Sequence, residues 1–176
     1  MKLVTSTIVL VVALLAAPLC AQESSREDFA KFCEAWKGRW VGDVTWVADW
    51  PAYGKRGDKV TAYVEINISE DGNALTGRLF GGKGSATVVG FYDAAAKQIK
   101  WLWVNSGGAV EQALVSVKDG KWTFHSTGSL ADGTKTESTS TVTISDNGNM
   151  HTWTGSGQVG DKKTDDQHDV WRRVSQ

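Results

Sequence analysis

The stretch KGRWVGDVTW, Lys37 to Trp46, places Trp40, Gly42, Val44 and Trp46 on one parity and Val41, Asp43 and Thr45 on the other. Successive side chains of a β-strand point to opposite faces, so the two tryptophans share a face with a glycine between them. Asp43 belongs in water, which turns the tryptophan face inward. Burying one indole removes about 150–250 Å² from solvent, worth roughly 4–6 kcal/mol at ~25 cal/mol/Å² as an upper bound. Two such rings on one face need room. Gly42 supplies it and lets the strand bend as a small barrel requires.

The same odd–even rhythm continues to the end of the chain. After a first strand over 39–48 come KVTAYVEINIS (59–69), ALTGRLF (74–80), SATVVGFY (85–92), IKWLWV (99–104) and AVEQALVSV (109–117). WTFHST (122–127), TESTSTVTI (136–144), MHTWTG (150–155) and HDVWRRV (168–174) complete ten strands. The joints EDGN, GGKG, NSGG, KDGK and DNGN are turn chemistry. Such short links make neighbours antiparallel, because a parallel return needs a crossover of a dozen or more residues. A ten-strand meander leaves two unpaired edges unless it closes. The expected fold is therefore all-β: an antiparallel up-and-down barrel of about ten strands, with a two-sheet sandwich as the alternative. One helix precedes it. Ser24 or Ser25 can cap residues 26–36, and Phe29, Phe32, Cys33 and Trp36 fall on one apolar face. Cys33 there reads as a small buried hydrophobe rather than a reactive thiol.

The chain has 176 residues, among them nine Trp, 19 Gly and two Pro. The first 21 residues have Lys2, the apolar run Ile8–Leu15 and a small-residue end, the pattern of a cleaved signal peptide. The run is too short to remain as a membrane span. A mature domain over 22–176 would be secreted or periplasmic. Cys20 could be acylated in a lipoprotein, but Leu19 stands where that pathway wants a small residue, so no lipid anchor is expected. Cys33 would then be the single cysteine left, and one thiol makes no internal disulfide, so the core must hold the fold. Without Lys2 the chain carries 18 basic and 20 acidic side chains in no basic block. That excludes nucleic acid as an expected partner.

The short helix, Gly38-Arg39-Trp40 and the final VWRR together resemble the calycin group, the lipocalins, fatty-acid-binding proteins and related barrels. The resemblance implies that Arg172 or Arg173 packs over Trp40 and closes the barrel end. GRWVG also resembles the opening of the nitrobindin-like haem barrels. Gly90, Tyr92, Asp93, Lys97, Trp101, Asn105 and Ser106 resemble the pattern of a set of uncharacterised bacterial lipocalin-like domains, with Phe91 as an extra residue. The match runs loosely over residues 35–174.

Parity nominates the barrel lining. Trp101 and Trp103 share a face, as do Trp122 and Phe124, with His125 opposite. His151 pairs with Trp153, Gln112 with Val110 and Leu114, and Ser138 and Ser140 with Val142. Inward-facing aromatics with a few polar groups are the usual composition of a small-molecule pocket, and ten strands can enclose one. Trp46, Trp101, Trp103, Trp122, His151 and Trp153 are the candidate ligand-binding residues. The bland alternative is that the same aromatics fill the barrel. His151 and His168 are the candidate haem ligands, although Asp165, Asp166 and Asp169 give His168 a solvated setting. GSGQVG (155–160) matches G-x-G-x-x-G but has no following helix, so it reads as hairpin glycines. The aspartates from Asp161 to Asp169 lack the order of a calcium loop. No nucleophile-elbow, H-E-x-x-H or C-x-x-C motif is present. The expectation is a non-enzymatic protein that binds a small apolar or amphipathic molecule, without metal or cofactor. The alternatives are a haem barrel acting on a small oxidant and a filled-core envelope interaction module.

Overall fold

The computed structural model describes residues 23–175; the expected signal segment 1–21 and Cys20 lie outside them. Helix α1 (Arg26–Trp36) is followed by β1 (Gly38–Thr45), β2 (Lys59–Ser69), β3 (Ala74–Gly81), β4 (Gly84–Asp93) and β5 (Gln98–Asn105). Then come β6 (Val110–Lys118), β7 (Lys121–Ser129), β8 (Lys135–Ser145), β9 (Met150–Val159), the two-residue β10 (Lys162–Lys163) and β11 (Gln167–Ser175). Each strand from β1 to β9 pairs antiparallel with the next, β9 also pairs with β11, and β11 returns to β1. The sheet is a closed antiparallel barrel of ten long strands, with β10 as a short flap on β9. The sandwich is not formed.

Closure follows from local chemistry. At the β6–β7 joint Asp119 and Gly120 both take positive φ, 50° and 73°, the backbone of the tight hairpin turn whose twist matches that of the strands. The β1–β11 ladder slips between Arg39 and Trp40, a bulge of the kind that sharpens strand bending. Gly42 answers for a third indole. A Cβ on it would lie 2.5 Å from the ring of Trp171, its partner across the β1–β11 ladder. The room that the strand leaves is therefore filled from β11.

Helix α1 plugs one end. Ser25 caps it in a reciprocal capping box with Asp28. Phe29, Phe32, Cys33 and Trp36 are buried against the barrel. Phe32 meets Trp101, Trp122 and Phe124 with ring centroids 5.8, 5.3 and 6.0 Å apart. Burial pushes the Cys33 thiol up to about 11, so it is a packing group. Trp40 donates from Nε1 to the Trp36 carbonyl at 3.0 Å, and the Arg173 guanidinium lies 4.1 Å from its ring centroid. Arg173 also donates to the carbonyls of Ala35 (3.0 Å), Gly148 (3.1 Å) and Lys37. One side chain thus ties the last strand to the helix C-terminus and stacks on the first strand. Arg172 does not share this role: it faces outward and pairs with Asp43 at 3.0 Å.

The first strand stops at Thr45, short of residue 48. Residues 46–58 leave the sheet and fold across the opposite end as a lid. Trp46 packs edge-on against Tyr53, and Trp50 and Tyr53 both pack on Trp103. The rim turns meet the lid through glycine: a Cβ on Gly107 would lie 2.2 Å from the Pro51 carbonyl oxygen. On the far side, Asp165 donates its backbone N–H to Val47 and its carboxylate pairs with Arg56.

Candidate functional site

Between the helix plug and the lid lies a cavity of about 280 Å³. At about 30 Å³ per water that is room for roughly nine waters, or a ligand of similar heavy-atom count. The hollow has a local cause. Inward residues shrink from the plug toward the lid on three neighbouring strands. On β7 they run Trp122, Phe124, Ser126, Gly128; on β8, Val142, Ser140, Ser138, Thr136; on β9, Trp153, Gly155, Gly157. The lining includes the exposed rim residues Glu137, Ser156 and Gln158, so the cavity communicates with solvent there.

Eight of the nine tryptophans line this space: Trp36, Trp40, Trp46, Trp50, Trp101, Trp103, Trp153 and Trp171. Trp46, Trp101, Trp103, His151 and Trp153 stand on it as parity expects. Trp122 does not; it is buried at the plugged end, 5.5 Å from Trp36 and 5.3 Å from Phe32, because α1 covers that half of the barrel. Trp50, Tyr53 and Trp171 were not among the sequence candidates. Trp171 could have been found from Arg173, since residues two apart on β11 share a face.

The parity of β6 is the reverse of the expected one. Glu111, Ala113 and Val115 face in, whereas Gln112 and Val110 are exposed on the outside. Glu111 is consequently an interior carboxyl group. Burial pushes its pKa up, and the Thr136 hydroxyl beside it pulls the other way. Asp169 is also interior rather than part of a solvated loop, at 5 % exposure. It accepts from the Thr45 backbone N–H at 3.1 Å and from Gln167 Nε2 at 2.7 Å, while Ser140 donates to Gln167 Oε1 at 2.7 Å. Burial raises its pKa, opposed by those hydrogen bonds. Three buried polar atoms on the cavity residues have no partner among the described residues: Trp46 Nε1, Tyr53 Oη and His151 Nε2.

The two candidate haem ligands stand in different settings. His151 is 3 % exposed and lies between the rings of Trp36 and Trp40, at 4.8 and 4.1 Å between centroids. Its Nε2, the atom that would reach an iron, is enclosed. Burial, reinforced by the charge of Arg173, holds its pKa near 3, against a backbone hydrogen bond to Ala35 that acts the other way. His168 is exposed and points away from the interior, as its parity opposite Asp169 requires. His125 also faces outward, on Thr139 at 3.1 Å. Among the described residues no group of three or more histidine, cysteine or acidic side chains could hold a metal. Asp165 is engaged by Arg56 instead. In GSGQVG, Gly155 and Gly157 are not hairpin residues but strand positions on β9, where a Cβ would lie 2.4 and 2.3 Å from carbonyl oxygens of β8; Gly160 alone is in the turn.

No family model matches the chain, and no curated protein matches it. Solved structures similar to it include a "putative outer membrane protein" of Bacteroides fragilis, 11% identical, covering 82% of this chain and 98% of that one at a TM-score of 0.22. So loose an overlap carries no argument. No described helix is long and apolar enough to cross a membrane.

Proposed function

We propose that this protein is a lipocalin-like, non-enzymatic binding barrel of the cell exterior or periplasm that holds a small amphipathic molecule beneath its lid. The observation that carries the reading is the convergence of eight tryptophans on one cavity of about 280 Å³. A chain that only needed a filled core would place bulk where the hollow is, not Ser126, Ser138, Ser140 and Gly157. The Gly38-Arg39-Trp40 opening and the stacking of Arg173 on Trp40 support the calycin likeness. Charge on the outer face, in Arg39, Glu65, Arg78 and Arg172, with aromatics inside, reverses the polarity of a membrane-spanning barrel and supports one bathed in water. The N-terminal signal pattern supports export.

Intrinsic tryptophan fluorescence and thermal unfolding, each titrated with short-chain lipophiles, test this. A binder is expected to change emission saturably and to raise stability by about 2.7 kcal/mol at a hundredfold excess over its Kd. A panel of alcohols, acids, amines and small aromatics that moves neither signal overturns the reading.

A further inference from the structure

The cavity has an electrostatic sign. Glu111 and Asp169 stand on it and Glu137 at its rim, yet no lysine or arginine is among the described residues that line it. His151, the single histidine on the wall, stays neutral. Arg173 is held at the plugged end by the carbonyls of Ala35, Lys37 and Gly148.

The two interior acids differ. Asp169 is satisfied by Thr45 and Gln167 and belongs to the wall. Glu111 has no ion pair among the described residues. Its side chain passes close over Gly128, where an added Cβ would sit 2.1 Å from the Val110 carbonyl oxygen and 2.8 Å from Glu111 Cγ. Beside it stands the hydroxyl of Thr136, a residue 5 % exposed, which favours the ionised carboxyl. Across the β5–β6 ladder its direct neighbour on the inner face is Trp103, on which the lid residues Trp50 and Tyr53 pack. A buried carboxyl next to a wall of indole faces is the chemistry that receives an organic cation: charge from the carboxylate, and the negative ring faces around it.

We propose that the ligand of this cavity carries a cationic nitrogen, an alkyl- or arylammonium group, anchored by Glu111 beside Trp103 while its apolar part lies among the deeper tryptophans. This rests on the ligand-binding reading above. It gives a reason for Glu111 in the barrel: a carboxyl that costs stability in the empty protein and is matched when a cation arrives.

The experiment compares octylammonium, octyltrimethylammonium, octanol and octanoate, each of a size suited to the cavity, by tryptophan fluorescence on the wild-type protein and on Glu111→Gln at one pH and ionic strength. The cations are expected to bind at least tenfold tighter than octanol and tighter still than octanoate. Glu111→Gln should bring octylammonium to the level of octanol, and unfolding in denaturant should show the variant at least as stable as the wild type. Thr136→Val serves as a second variant, expected to weaken octylammonium more than octanol. Octanoate binding as well as octylammonium, or a cation preference that survives Glu111→Gln, overturns the inference and leaves the binding reading standing. Silence from all four compounds overturns both.

Discussion

Two halves of one barrel are built by opposite rules. At the plugged end, Trp122 and Phe124 of β7 meet Phe32 and Trp36 of the helix in a packed aromatic cluster. Two and four residues further along the same face of the same strand stand Ser126, which lines the cavity, and Gly128, over which the Glu111 side chain passes. The radius of a ten-strand barrel is set by its strands, so side-chain size decides locally whether the interior fills. Filling confers stability; leaving it open confers room for a guest. The lid keeps that room from being a plain funnel.

The largest effect that could break this contrast is in packing. Phe124 is 2 % exposed and touches Phe32, Trp36, Trp101 and Trp153. Phe124→Ala is expected to cost roughly 3–5 kcal/mol in denaturant unfolding. Ser126→Leu, on the same face, adds bulk where a filled core would charge about 1–3 kcal/mol for it. Here it should change stability by less than about 1 kcal/mol and abolish ligand-induced fluorescence change. A Ser126→Leu penalty comparable to that of overpacking would show that the mouth half is no hollow.

The halves also differ in their response to acid. His151 belongs to the plugged end, and its folded-state pKa, near 3, lies below its ordinary value of 6.5. Below pH 6.5 the unfolded chain takes up a proton that the folded one refuses. Stability supplied by this site is therefore full above 6.5 and falls by up to about 1.4 kcal/mol per pH unit on the way down toward 3. Glu111 and Asp169, on the mouth half, are shifted upward by burial, so each favours the folded state when protonated and costs stability as pH rises past the ordinary carboxylate range. Measured between pH 6 and 4, the wild-type stability curve should be steeper than that of His151→Leu by about that slope. Surface carboxylates contribute to both proteins alike and cancel. Parallel curves would show that His151 is not excluded from protons.

The strands, the helix and the barrel were readable because turn residues and period-two alternation agree at every step. The Trp40–arginine contact was readable as a pair but not as a choice between Arg172 and Arg173, since β11 carries apolar residues on both parities, Val170 and Val174 with Arg172 and Trp171 with Arg173. The site was readable where aromatics mark the inner face, as on β5 and β9. It was misread on β6, where Val110 and Leu114 oppose Ala113 and Val115 equally and Glu111 looks like a surface residue. A rule that sends charge outward fails where an acid lies on the inner face. The size gradient on β7 to β9 was present in the sequence all along, since Trp122, Phe124, Ser126 and Gly128 are two apart. The lid was not: Trp50 and Tyr53 lie in a loop without period, and only contacts with Trp103 show what they cover.

The smallest expected effect concerns how the open half is closed. Arg56 holds Asp165 through Nε at 2.7 Å and through a second guanidinium nitrogen. Both side chains are about half exposed, so the pair adds little to global stability and is screened by salt. It nonetheless joins the lid to the β10–β11 segment, as does the Asp165 N–H on the Val47 carbonyl at 2.9 Å. Arg56→Ala should leave the unfolding midpoint almost unmoved, because unfolding is dominated by the plugged half. Lid opening, however, is a local event whose free energy counts only the contacts it breaks. Release of bound octylammonium, followed by stopped-flow fluorescence, should therefore quicken a few-fold in Arg56→Ala, and the wild-type rate should approach the variant's in high salt. Release that ignores both the substitution and the salt would mean that the guest leaves by the rim at Glu137 and Gln158, with the lid as a fixed wall.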